Sequence, residues 1–167
     1  MSKDLSFAVG ERVVYPSHGV GEITNLETQA IGGLTIQVYV ISFPQDKMIL
    51  RVPVSRATAS GLRPLADKSE ISKIYKALQS KPRQGNKMWS RRAQEYEGKI
   101  NSGDILAVAE VVRDLYKNVD SDRSYSERTI YESAVNRLAG ELSLLEGINQ
   151  NDAVSKLIDV LKEKAVA

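Results

Sequence analysis

The sequence predicts an α+β chain, with a small β-barrel over the first sixty-odd residues and a compact five-helix all-α domain after it. Three observations carry this expectation. The apolar pattern runs with a period near two as far as about residue 60, and with a period near 3.6 from residue 67 onward. Short segments rich in glycine and proline punctuate the first part as turns. Helix start and stop residues punctuate the second part. The change of pattern divides the 167 residues into domains 1–64 and 65–167.

The strands come first. Val13-Val14-Tyr15, Val20-Gly21-Glu22-Ile23, Leu34 to Phe43 and Met48 to Val54 are short runs rich in β-branched and aromatic residues. Pro16-Ser17-His18-Gly19, Ile31-Gly32-Gly33 and Pro44-Gln45-Asp46-Lys47 separate them. In Leu34–Phe43 the alternation is imperfect, and both faces become apolar toward the end of the run, as in a small closed barrel or beside a partner domain. Four or five such strands in so short a stretch fit an SH3- or Tudor-like barrel.

The helices follow. Asp67 with Glu70 reads as a capping arrangement for a first helix through Gln79, with Ile71, Ile74, Tyr75 and Leu78 on one face. Pro82 and Gly85 break it, and Asn86 is a candidate cap for a second helix running to about Ser102, where Gly103 supplies the stop. Asp104 caps a third, with the stripe Ile105, Val108, Ala109, Val112, Leu115 and Tyr116. Ser124 and Glu127 form a capping box for a fourth bearing Tyr131, Ala134, Val135, Leu138, Leu142 and Leu145. A fifth carries Val154, Leu157, Ile158 and Leu161.

Composition removes several kinds of function. There is no cysteine, so disulfides, thiolate metal sites and cysteine nucleophiles are excluded. His18 is the single histidine, which rules out any two-histidine metal site. In Pro-Ser-His-Gly it reads as a turn residue rather than a catalytic base. No phosphate-cradling glycine motif is present, and no apolar run is long enough to span a membrane. The hydrophobic content of 42% is sufficient for packed cores. The expectation is therefore a cytoplasmic protein without a cofactor or metal, a binding protein rather than an enzyme.

The net charge of +2 conceals an uneven distribution. Residues 69–101 hold eight basic and three acidic side chains, whereas residues 102–167 hold eight and twelve. Within 81–92, KPRQGNKMWSRR, there are five basic residues, no acid and the only tryptophan. Local clusters of this kind attract phosphates within a Debye length. Clustering singles out Lys87, Arg91 and Arg92; Arg128 gains nothing from its sequence neighbours.

Trp89 admits two readings. Trp89, Ala93, Tyr96 and Ile100 share a helical stripe, so the indole fits a core. The same indole sits among cations at a helix start, where amides and guanidinium groups favour phosphate oxygens and a planar ring can wedge against a base. Arg51, between Leu50 and Val52, likewise suits either a solvent-facing edge strand or an edge that accepts a partner strand.

Four stretches resemble the CarD/CdnL family of bacterial transcription regulators: FAVGERVVYPSHGVGEI (7–23), ILRVP (49–53), NKMWSRR (86–92) and SGDILAVAEVVRDLY (102–116). They lie in order across nearly the whole chain. The resemblance implies a Tudor-like N-terminal domain that binds the β1 lobe of the RNA polymerase β subunit, largely by strand addition. It implies a helical domain that contacts promoter DNA without reading a sequence, its tryptophan entering the minor groove at the upstream edge of the melted bubble and stabilising the open complex. Carried over residue by residue, Trp89 is the wedge, Arg91 and Arg92 are DNA contacts, which Lys87 joins from the cationic cluster, and Arg128 stands at a basic phosphate contact on the fourth helix. On the barrel, Arg51 is a polymerase contact on the strand that includes Ile49, Val52 and Pro53. Gln29 and Gln94 stand where some relatives carry basic residues that touch polymerase and DNA respectively. The competing class is a polymerase-independent architectural nucleic-acid-binding protein using the same basic helix.

Overall fold

The computed structural model describes residues 7–16, 18–44, 47–82, 88–116 and 125–166. The chain forms two compact units, Met1–Leu65 and Ala66–Ala167. The first is a five-stranded antiparallel sheet: β1 (Arg12–Tyr15), β2 (Gly19–Ile31), β3 (Leu34–Phe43), β4 (Met48–Pro53) and β5 (Arg63–Pro64), with a 3₁₀ turn at Val54–Arg56. Its order is β4-β3-β2-β1-β5, the connectivity of an SH3- or Tudor-like barrel.

Strand β2 runs eight residues beyond Ile23, where the apolar pattern of the sequence stops. The extension has no apolar alternation, and its Leu26 and Ile31 are exposed; it is a strand because of its partner. Ile31 pairs with Leu34 across a two-residue loop whose Gly32 and Gly33 have φ of 58° and 80°. Two successive residues at positive φ make the hairpin turn whose twist matches the flanking strands. Pairing then continues from Leu34 to Val40.

A β-bulge interrupts this ladder at Thr24: Ile23 pairs with Ile41 but Asn25 pairs with Val40. One extra residue reverses which face of the sheet every later β2 side chain occupies. Before the bulge, Ile23 lies in the core with Val13, Tyr39, Ile41, Phe43, Val52, Ala57 and Leu62. After it, Glu27 and Gln29 pair with Val38 and Ile36, on the opposite face from Tyr39 and Ile41. Gly21 is required by the core: a Cβ there would meet Ile41 Cγ2 and Phe43 Cε1 at 2.8 Å each.

The second unit contains α1 (Glu70–Gln79), α2 (Trp89–Ile100), α3 (Ile105–Leu115), α4 (Tyr125–Glu146) and α5 (Gln150–Val166). Ile74, Leu78, Ile100, Val108, Val112, Leu138, Leu142 and Leu157 are among the residues of its core. Asp104 caps α3, its carboxylate accepting from the Leu106 N–H at 3.0 Å, after Gly103 turns the chain at φ 82°. The expected side-chain cap at the start of α1 is replaced by backbone: the Glu70 N–H donates to the Asp67 carbonyl at 2.9 Å, and Ser69 makes no side-chain cap bond. A tight turn leading into the helix already engages that amide. Tyr116 is the residue that ends α3 rather than part of it. The candidate caps Asn86 and Ser124 lie outside the described residues.

Candidate functional site

On the barrel, β4 occupies one edge of the sheet with β3 as its neighbour, so half of its backbone polar groups turn away from the ladder. Ile49, Arg51 and Pro53 alternate with Leu50 and Val52 along the strand. Through the register, Ile49 pairs with Ser42, Arg51 with Val40 and Pro53 with Val38. These residues therefore share one face with Glu27 and Gln29. Ile49 is 60% exposed. Arg51 is also exposed, and its Nε donates to Glu27 Oε1 at 2.9 Å. Val52 points the other way, into the barrel core.

In the helical unit, Trp89 is the first residue of α2. Part of the indole packs on the helical core and part is open. Three contacts fix it. Its Nε1–H donates to the Ser126 hydroxyl at 3.4 Å. Its ring lies 6.4 Å from that of Tyr96, inclined at 48°. The Arg92 guanidinium carbon stands 5.5 Å from the Trp89 ring centre and 5.7 Å from that of Tyr96. Arg92 also donates from a terminal nitrogen to the Tyr96 hydroxyl at 3.3 Å, while its Nε is buried without a hydrogen-bond partner. Arg92 thus braces the two rings more than it offers itself to solvent.

Arg91, Gln94 and Arg128 are exposed. The Trp89–Ser126 bond joins the start of α2 to the first turn of α4, the turn that Arg128 immediately follows. Met88 and Tyr125, 58% and 84% exposed, flank the two bonded residues in sequence. Near each helix start there is thus an exposed apolar or aromatic side chain and an exposed arginine, and the peptide dipoles of helix starts favour anions. Lys87, the remaining sequence candidate, lies outside the described residues.

Sequence reasoning missed Ser126, Tyr125 and Glu27. Ser126 stands 37 positions from Trp89, and nothing local links the two. Tyr125 adjoins the Ser124 cap candidate, and an aromatic residue at an expected helix start was the available signal; the structure leaves its ring 84% exposed. Glu27 reaches Arg51 because of the bulge, which alternation along one strand cannot reveal. His18 stacks on Tyr15, with ring centres 5.5 Å apart, inside the turn between β1 and β2. Among the described residues, no group of three or more acidic or imidazole side chains could hold a metal ion. None of the described helices is long and apolar enough to cross a membrane.

Two family models match the chain. One described as "CarD, C-terminal domain" covers residues 73–159, and one described as "CarD-like/TRCF RID domain" covers residues 7–66. Over 150 residues the chain is 30% identical to a protein of Bacillus subtilis (strain 168) named "Putative transcription factor YdeB", spanning 89% of this chain and 98% of that protein. The solution NMR structure of the 72-residue N-terminal domain of Myxococcus xanthus CarD is similar at 30% identity, covering 38% of this chain and 84% of that one, with a TM-score of 0.32.

Proposed function

The chain belongs to the CarD family of transcription factors, and from that premise we propose that it regulates transcription by tying RNA polymerase to promoter DNA. The barrel docks on the β1 lobe of the polymerase β subunit through its β4 edge, adding a strand to a partner sheet, with Ile49 and Arg51 selecting that partner. The helical unit lies on promoter DNA at the upstream edge of the bubble, with Trp89 as the wedge in the minor groove, Arg91, Lys87 and Arg128 toward phosphates, and Arg92, the fourth sequence candidate, bracing the wedge against Tyr96.

The observation that supports this reading most is the Trp89–Ser126 junction, where a half-open indole ties together the starts of two helices that each carry an exposed arginine, Arg91 and Arg128. Each part supplies a different share of the mechanism. Cations give weak, salt-sensitive DNA binding without sequence preference. Tethering to polymerase raises their effective concentration at the promoter and adds no base contact. A wedge that fits only unstacked DNA binds the open state better than the closed one, and that difference alone shifts the population.

The test is capture of core polymerase by the 167-residue chain in high salt. Wild type is expected to retain polymerase. Arg51→Glu is expected to lose it while its melting temperature stays near wild type, since changing a surface charge alters stability by about 0.5 kcal/mol or less. Failure of the wild-type chain to retain polymerase, while it still binds duplex DNA at low salt, would instead make the protein a polymerase-independent architectural binder.

A further inference from the structure

We propose that Glu27 is a positioning residue: it holds the Arg51 guanidinium by one edge and so presents the terminal nitrogens to a carboxylate on the docked partner. This rests on the barrel's polymerase-binding role and names the residue that prepares it. The bond uses Arg51 Nε, at 2.9 Å from Glu27 Oε1. A guanidinium engaged at Nε keeps its end-on pair of N–H donors for a second carboxylate, the geometry in which arginine binds a carboxylate with two parallel bonds.

The sheet makes the arrangement stereochemically specific. Glu27 and Arg51 lie on β2 and β4, diagonally across β3, because Glu27 pairs with Val38 while Arg51 pairs with Val40. The Thr24 bulge puts Glu27 on this face; without it Glu27 would share the face of Ile23 and the core. Glu27 is the more covered partner, with its side chain 34% exposed against 53% for Arg51, so the cation is the end presented outward. A free arginine loses several rotamers on docking, whereas one already held by its inner edge loses fewer. The partner recognised is therefore an acidic residue beside the docked edge, not a basic one.

A competitor role predicts the opposite outcome, since a glutamate that merely neutralised Arg51 would weaken an acidic partner's hold. The two are separated by measuring the affinity of the 167-residue chain for core polymerase at low and high salt. The variants are Glu27→Ala, Glu27→Gln, Arg51→Ala and the Glu27→Ala/Arg51→Ala pair. Positioning predicts that Glu27→Ala weakens binding by roughly two- to tenfold. Glu27→Gln, which keeps an acceptor for Nε, restores most of that loss. In the Arg51→Ala background, Glu27→Ala has no further effect. Equal or tighter binding by Glu27→Ala, or an equal loss in both arginine backgrounds, overturns the inference. Absence of polymerase binding by the wild-type chain overturns the polymerase reading itself, and the two failures are thereby distinct.

Discussion

The indole N–H of Trp89 donates to the hydroxyl of Ser126 at 3.4 Å, which ties the first residue of α2 to the second residue of α4. The indole is half-buried against the helical core and anchored at its polar edge, so it is a strut of the helical unit. Trp89→Ala is expected to lower the stability of the helical unit by about 1–3 kcal/mol, less than the 3–5 kcal/mol typical of a fully buried tryptophan. Polymerase capture through the barrel should persist, and open-complex lifetime should shorten by roughly five- to a hundredfold, the worth of one base–aromatic contact. Urea melts and open-complex decay read the two effects separately. A strongly destabilised variant that still prolongs the open complex would sink the wedge.

Arg92 lies against two rings, and lysine cannot reproduce that. Its planar guanidinium faces both Trp89 and Tyr96 and reaches the Tyr96 hydroxyl. Arg92→Lys keeps the charge and loses the plane, with an expected cost of about 1 kcal/mol. Because Trp89 is the only tryptophan, its emission spectrum reports the same event, and a shift is expected in the absence of DNA. An unchanged spectrum would show that Arg92 does not brace the indole.

Arg91 and Arg128 are exposed on α2 and α4 and are expected to meet phosphates only. Replacing either by alanine should weaken duplex binding alike for all sequences and reduce the salt slope by about one. Competition binding across a salt series with unrelated duplexes checks this. A loss confined to one sequence would indicate base reading.

Tyr75, Glu146 and Lys156 staple α1, α4 and α5 together. The Tyr75 hydroxyl donates to Glu146 Oε1 at 2.6 Å, and Lys156 Nζ donates to Oε2 at 2.5 Å. Burial opposes ionisation of Glu146, but the hydrogen bonds from Lys156 and Tyr75, with the nearby ammonium charge, outweigh it and hold the carboxyl below its ordinary value. A lowered folded value means that the stabilisation is present above the unfolded carboxyl's pKa and disappears as pH falls through the folded one. Thermal melting between pH 6 and roughly pH 3 should therefore fall less steeply for Glu146→Gln than for wild type. Burial and the Glu146 carboxylate push Tyr75 upward, so its contribution should fade above pH about 10, where the unfolded tyrosine ionises. Parallel acid limbs for the two proteins would remove Glu146 from this role.

The sequence by itself determined features whose causes act over a few residues. The change of period near residue 60, the Asp104 cap, the Gly103 stop and the core stripes of α3 and α4 follow from neighbours within one helical turn. The cationic run and the ambiguity of Trp89 were equally legible, because composition and spacing are local. The tertiary structure decided what sits beside what. The hairpin made a strand of the polar stretch after Ile23, and the single bulged residue at Thr24 moved Glu27 and Gln29 to the face of Arg51. Helix packing brought Ser126 to Trp89 and set Arg92 between two rings. Alternation and capping report which way a side chain leans along its own element. Its partners across elements depend on register and packing, which the whole unit fixes together.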